Sequence, residues 1–208
     1  MSGVQFKAAA IGKSFQRRKL FDGIEFTLAT AQSISICGHN GAGKSTLLKI
    51  LAGIMSPTQG SVHLTLDGRE VKTIHHFRHI GYVAPYLQLY DEFSGWENLD
   101  LMRKIRKLNV PDERLPALME LVQLSTKNIN PVRTYSSGMK QRLKYACALL
   151  HEPALLFLDE PTANLDGDGR KIVQGIVENH KMIGIVILAT NEPQEIGWCE
   201  HFIDLDRK

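Results

Sequence analysis

Apolar and polar positions alternate with different periods in different parts of the chain. Short apolar or alternating runs near the start, "VQFKAAAI", "IEFTLA" and "SISIC", predict strands, and "SVHLTLDG" ends in an Asp67-Gly68 turn signal. Between them "GAGKSTLLKILAGI" opens with glycines and then sets Leu47, Leu48, Ile50 and Leu51 at helical spacing. The order there is strand, glycine loop, helix. After "IGYV" (residues 80–83) the period turns helical, from about Pro85 to Leu150. "GWENLDLMRKIRKL" and "DERLPALMELVQL" carry apolar residues every three or four positions, and Pro111 separates them. Pro116 falls early enough in the second helix to be tolerated. "SSGMKQRLKYACALL" predicts a third helix with Ser136 or Ser137 as its N-cap. "ALLFLD" and "IGIVILAT" are near-continuous apolar runs, as expected of strands buried on both faces of a parallel sheet. Strands and helices in this order predict an α/β core with the helical stretch inserted into it. No internal repeat, low-complexity segment or linker interrupts the pattern.

Composition narrows the class. With 208 residues, 43% hydrophobic and 23% charged, the chain suffices for one sizeable core and a single domain. A net charge of +3 lacks the dense basic patch of a nucleic-acid binder, so no nucleic acid is expected as partner. The cluster "RKIRK", with Arg103, Lys104, Arg106 and Lys107, reads as a solvated helix face. Cys37, Cys147 and Cys199 are far apart with no C-x-x-C pair, which argues against a disulfide framework or zinc site and fits a reducing compartment. The first residues lack a basic stretch followed by an apolar one, and no run of about 18 apolar residues occurs. Neither a signal peptide nor a membrane span is expected, and the protein is placed in the cytoplasm or on the cytoplasmic side of a membrane.

Two motifs carry chemistry. "GHNGAGKST" (residues 38–46) meets the pattern G-x-x-x-x-G-K-[ST] through Gly38, Gly43, Lys44 and Ser45. A phosphate chain needs several donors converging on it, which residues without Cβ and a following helix N-terminus provide. Lys44 is expected to reach the β- and γ-phosphates and Ser45 to ligate Mg²⁺. The rest of the loop, His39, Asn40, Gly41, Ala42 and Thr46, belongs to the same binding set. A glycine-rich turn with an incidental lysine is the bland alternative; a strand before and a helix after argue against it. In "ALLFLDEPTANLD" (residues 154–166), Leu155, Leu156, Phe157 and Leu158 bury a strand from which two carboxylates emerge. Asp159 is placed to hold Mg²⁺ through water, and Glu160 to polarise an attacking water.

With these motifs the chain resembles the nucleotide-binding subunit of an ABC transporter, with matches from about residue 4 to residue 205. "YSSGMKQRLKYACALL" is similar to the family's signature segment, and "ANLD" (residues 163–166) to the loop that crosses between subunits. Phe15 sits where the family places an aromatic that stacks on adenine. The resemblance implies a P-loop NTPase core with a mostly parallel sheet, an N-terminal antiparallel β subdomain and a helical subdomain at about 86–150, all within one domain of residues 1–208. It implies ATP and Mg²⁺ as cofactors, sandwiched in a head-to-tail dimer with a second copy or a paralogue. Ser136, Ser137 and Gly138 would then contact the γ-phosphate in trans. A multi-span membrane subunit would dock on the inserted helices, at the inner face of the cell membrane. The chain stops at "FIDLDRK", read as the last strand, with no room for a regulatory domain.

The chain departs from the family pattern in three places. Tyr135-Ser136-Ser137-Gly138-Met139 replaces Leu-Ser-Gly-Gly-Gln at the signature. Pro85 stands where a glutamine normally reaches Mg²⁺ and the attacking water, and Gln88, three residues on, reads better as a loop polar residue than as a substitute. Asn191 replaces the usual histidine; its amide still donates a hydrogen bond to a γ-phosphate but carries no charge. His39 is at a variable family position and needs no catalytic role. Real but slow hydrolysis is expected, driving transport with a lean toward export. The competing reading is an ATP-gated dimerising binding or regulatory module with vestigial hydrolysis. A chromosome- or ribosome-acting relative ranks last, because the chain has neither a long coiled-coil insertion nor a second cassette.

Overall fold

The computed structural model describes residues 3–206; Met1 and Ser2, and the Arg207 and Lys208 of the predicted last strand, lie outside them. The strands are β1 (Val4–Phe15), β2 (Arg18–Ala29), β3 (Ser33–Cys37), β4 (Gln59–Leu66), β5 (Arg69–Val71), β6 (Ile80–Val83), β7 (Leu155–Asp159), β8 (Ile185–Ala189) and β9 (His201–Asp204). They form an antiparallel sheet in the order β2-β1-β4-β5 and a parallel sheet in the order β6-β7-β8-β3-β9. The α/β class and the antiparallel N-terminal portion are as expected.

Two hairpins are longer than the sequence pattern suggests. β1 and β2 run on through the polar stretch around "SFQRRK" because Gln16 and Arg17 both take positive φ, 47° and 68°, closing a two-residue turn with Phe15 opposite Arg18. Asp67 and Gly68, at φ 50° and 74°, do the same between β4 and the short β5. Cross-strand pairing through these tight turns, rather than alternation along each segment, makes them strands.

Every residue of β3, β7 and β8 is buried, which is why they read as continuous apolar runs. The two-residue period still decides which core each side chain enters. Leu155 and Phe157 point into the layer shared with the antiparallel sheet and helix α1 (Lys44–Leu51), where Phe157 meets Phe6 edge-on at 5.8 Å. Leu156 and Leu158 point the other way, toward α4 (Ser137–Leu149) and α5 (Gly167–Lys181).

The helical stretch begins later than its apolar pattern suggests. Residues 85–93 are irregular, tied down by Asn98, whose Oδ1 accepts from Tyr90 N at 2.8 Å. Helix α2 (Gly95–Ile105) then starts in a capping box between Ser94 and Glu97. Helix α3 (Arg114–Leu121) is shorter than predicted and holds Pro116 as its third residue. Ser136, rather than Ser137, caps α4, accepting from Met139 N at 3.1 Å. A last short helix, α6 (Pro193–Ile196), precedes β9. Among the described residues no helix is long and apolar enough to cross a membrane.

Burial pushes the His180 imidazole, in α5, from 6.5 down to about 4, and its Nε2 has no hydrogen-bond partner. Neutral in the fold but protonated when unfolded below pH 6.5, it makes stability rise with pH between about 4 and 6.5. Acidification from pH 7 toward 4 is expected to lower stability by on the order of 2 kcal/mol through this residue. Thermal unfolding across that range should show a shallower pH slope for His180→Leu. Parallel slopes for the two proteins would count against the assignment.

Candidate functional site

The parallel sheet decides where the candidate residues meet. Because its strands run the same way, their carboxyl ends share one edge, where α/β sheets form ligand crevices. The glycine loop leaves β3 there, Asp159 and Glu160 end β7, and Asn191 follows β8.

Gly43 is the N-cap of α1 in left-handed conformation, φ 104°, and a Cβ there would lie 2.8 Å from Leu20 Cδ2. The loop can therefore close down onto the helix N-terminus only with glycine at this point. Lys44 is 8% exposed, its Nζ donating to Gly38 O at 2.8 Å and His39 O at 3.1 Å, so the ammonium stands over the loop. His39 also donates its backbone N–H to Asp206 Oδ2 at 2.8 Å, which anchors the loop to the end of β9. The resulting cleft, about 480 Å³, is lined by Asn40, Gly41, Gly43, Lys44, Ser45, Thr46, Glu160 and, at its outer end, Phe15. Phe15 is half exposed, its ring 5.0 Å from Lys13 Nζ, and it also borders a wider cleft with Gly41 and Ala42.

Ser45 Oγ donates to Asp159 Oδ1 at 2.8 Å. Asp159 is 2% exposed, and its other oxygen, Oδ2, is buried without a hydrogen-bond partner. Burial raises its carboxyl above the usual range, against a downward pull first from Ser45. A buried carboxylate oxygen left unmatched beside a hydroxyl is a costly arrangement that a divalent cation and its water would relieve. Ser45 and Asp159 thus fit Mg²⁺. Glu160 is exposed and held at φ 47°, its N–H donating to Ala189 O at 2.9 Å. That uncommon backbone conformation turns the side chain out of the sheet into the cleft. Asn191 Nδ2 donates to Asn40 Oδ1 at 3.3 Å, so the loop after β8 touches the glycine loop.

The sequence profile of the ABC transporter family matches residues 21–163. The lantibiotic transport ATP-binding protein SrtF of Streptococcus pyogenes is 34% identical over 198 residues, 95% of this chain and 83% of the relative. The chain belongs to the ABC transporter family. A second relative, the Nod factor export ATP-binding protein I of Sinorhizobium fredii, is 31% identical over 196 residues, 93% of this chain and 57% of that protein. In fold, the chain matches the dimeric, ADP- and Pi-bound ATP-binding cassette MJ0796 with a TM-score of 0.82 at 20% identity, over 96% of this chain and 93% of that one. The fold is that of a P-loop NTPase.

The residues after β6 and those of the signature-like segment fall in distinct places. Gln88 lines a groove of about 330 Å³ with Phe77, Met102, Arg106 and His151. Tyr86 lies on the Asp159 side instead, and its hydroxyl adds a weaker downward pull on that carboxyl. Ser136 and Ser137 are exposed at the start of α4, with Gly138 half-buried behind them.

Two buried groups escaped the sequence reading. Glu195, in α6, accepts hydrogen bonds from the hydroxyls of Thr162 and Thr190 and from Thr162 N. It clasps the loop after β7 to the loop after β8. Tyr145 of α4 donates to Pro161 O at 2.7 Å, joining the signature-like helix to the carboxylate loop. A glutamate in the polar run "NEPQE" carries no local sign of burial, and Tyr145 reads as one more apolar position of a helix.

Proposed function

We propose that this chain is the ATP-binding and ATP-hydrolysing subunit of a membrane transporter. The observation that carries the reading is the orphaned Asp159 oxygen beside Ser45, beneath a lysine-bearing glycine loop and next to an exposed glutamate. In this reading the loop N–H groups and Lys44 hold the β- and γ-phosphates of ATP, while Phe15 lies against the base. Ser45 and Asp159 would hold Mg²⁺, which when bound would supply charge neutralisation on the phosphates. Glu160 accepts a proton from the water that attacks the γ-phosphorus, the bond to the bridging oxygen breaks, and ADP and phosphate leave. Asn191 donates a hydrogen bond to the γ-phosphate. With Pro85 and Asn191 in place of glutamine and histidine, turnover is slow.

Residues 1–208 form one nucleotide-binding domain in this reading, and two such domains close on ATP head to tail, the second a copy or a paralogue. Ser136, Ser137 and Gly138 meet the γ-phosphate across that interface. In support, a Cβ on Gly138 would meet the chain's own Asn164 O at an ordinary 3.5 Å, so packing within the chain does not demand a glycine there. The membrane subunit docks on the helical segment at about 86–150, where Leu87 is exposed along the groove that Gln88 lines and the neighbouring Phe77 is exposed on the same groove. The protein then lies on the inner face of the cell membrane, and the name of the Nod factor export relative favours export.

The second reading, an ATP-gated binding module, draws on Pro85 and Asn191. One experiment separates them. A tagged Glu160→Gln variant, extracted gently from membranes with ATP present, is expected to bring a stoichiometric multi-span membrane protein with it. Recovery of soluble partners only, with the variant absent from membranes, would transfer the assignment to the binding module.

A further inference from the structure

The loop after β6 lacks the glutamine common in the family, yet it does not leave the metal end of the site bare. Parallel pairing sets Tyr82 beside Phe157 and Val83 beside Leu158, one residue short of Asp159. Beyond β6 the chain turns tightly, Leu87 N donating to Ala84 O at 3.2 Å, and the turn brings Tyr86 back over the strand. There its hydroxyl lies 2.7 Å from that of Tyr82. Lys49, projecting from α1, places its Nζ 4.3 Å from the centre of the Tyr86 ring. Lys144, from α4, fixes the turn from the other side by donating to Pro85 O at 2.7 Å and Ala84 O at 3.2 Å. Three elements therefore hold one exposed phenol at the end of β7. A loop tyrosine that served only as surface would need no such bracing.

Resting on the ATPase reading above, we propose that Tyr86 is a positioning residue of the nucleotide site. Its hydroxyl, steadied by Tyr82 and Lys49, orders the water between Asp159 and the magnesium nucleotide, in place of the side chain that Pro85 cannot supply. A phenol both donates and accepts hydrogen bonds, as that water requires. Tyr82 acts through Tyr86 rather than on the water itself.

The test uses the full chain and a fluorescent ATP analogue, titrated without Mg²⁺ and then with increasing Mg²⁺. Tyr86→Phe keeps the ring and its contact with Lys49 and removes the hydroxyl. Its affinity without Mg²⁺ is expected to match wild type, while the Mg²⁺ concentration for half-maximal effect rises about fivefold, the size of one neutral hydrogen bond. Tyr82→Phe should shift the same midpoint in the same direction by less. An unchanged Mg²⁺ midpoint in Tyr86→Phe, with wild type responding normally, overturns this inference alone. An equal loss of affinity with and without Mg²⁺ also overturns it, since that marks a residue needed for the fold or the nucleotide contact. A wild-type chain whose binding ignores Mg²⁺ sinks the ATPase reading together with it.

Discussion

Replacing Glu160 with Gln is expected to lower kcat for ATP hydrolysis by about 10²- to 10⁴-fold, the range a positioned general base contributes. The substitution is nearly isosteric and the side chain is exposed, so folding should be untouched. What changes is the chemistry: a carboxylate accepts a proton and an amide does not. Glu160 borders the same cleft as Lys44 and Ser45, and its backbone is pinned at φ 47° by the N–H bond to Ala189 O, so the carboxylate is presented rather than free to wander. Phosphate release under saturating ATP measures the effect. With binding intact and release blocked, an ATP-dependent dimer should accumulate on size exclusion. A rate within threefold of wild type would remove Glu160 from the catalytic role, and Pro85 and Asn191 would then weigh more heavily toward the binding module.

Lys44→Met is expected to weaken ATP binding by about a hundredfold. Methionine keeps the apolar stem that packs within the loop and removes the ammonium. Charge-assisted hydrogen bonds contribute roughly 1.5–3 kcal/mol each, so losing the lysine's hold on the β- and γ-phosphates costs roughly 3 kcal/mol, or two orders of magnitude in Kd. The ammonium is nearly buried on the carbonyls of Gly38 and His39, so it is positioned by the loop before it ever meets a phosphate. Equilibrium binding of a fluorescent nucleotide reads this directly. Affinity within threefold of wild type would mean that the loop amides alone hold the phosphates. The two variants also test separate steps: one blocks turnover with ATP bound, the other prevents binding.

Local sequence determined much of this protein. Glycines at 38, 41 and 43 followed at once by Lys44 and a helical period specify strand, loop and helix, because backbone freedom, capping and side-chain period act over a few residues. The runs "SISIC", "LLFLD" and "IVILA" announced strands buried on both faces, and Asp159 and Glu160 stood out at the end of one of them. The Ser45–Asp159 hydrogen bond, across 114 residues, needed the parallel strand order that brings the ends of β3 and β7 to one edge.

Other features depend on contacts that no local pattern encodes. The polar ends of β1 and β2 became strands only by pairing with each other, and residues 85–93 stayed irregular because Asn98 and Lys144 claim their backbone carbonyls and amides. Gln88 and Tyr86 are two residues apart in one loop, and the sequence could not say which of them faces Asp159. The strand order β6-β7-β8 and the turn at Pro85 decided it in favour of Tyr86, with Lys49 from a distant helix completing its seat. Glu195 likewise gained its role only when Thr162 and Thr190 were brought to it from two different strand ends. Elements are set by short-range periodicity, but the direction in which a loop side chain points is set by its neighbours in space, and those come from everywhere along the chain.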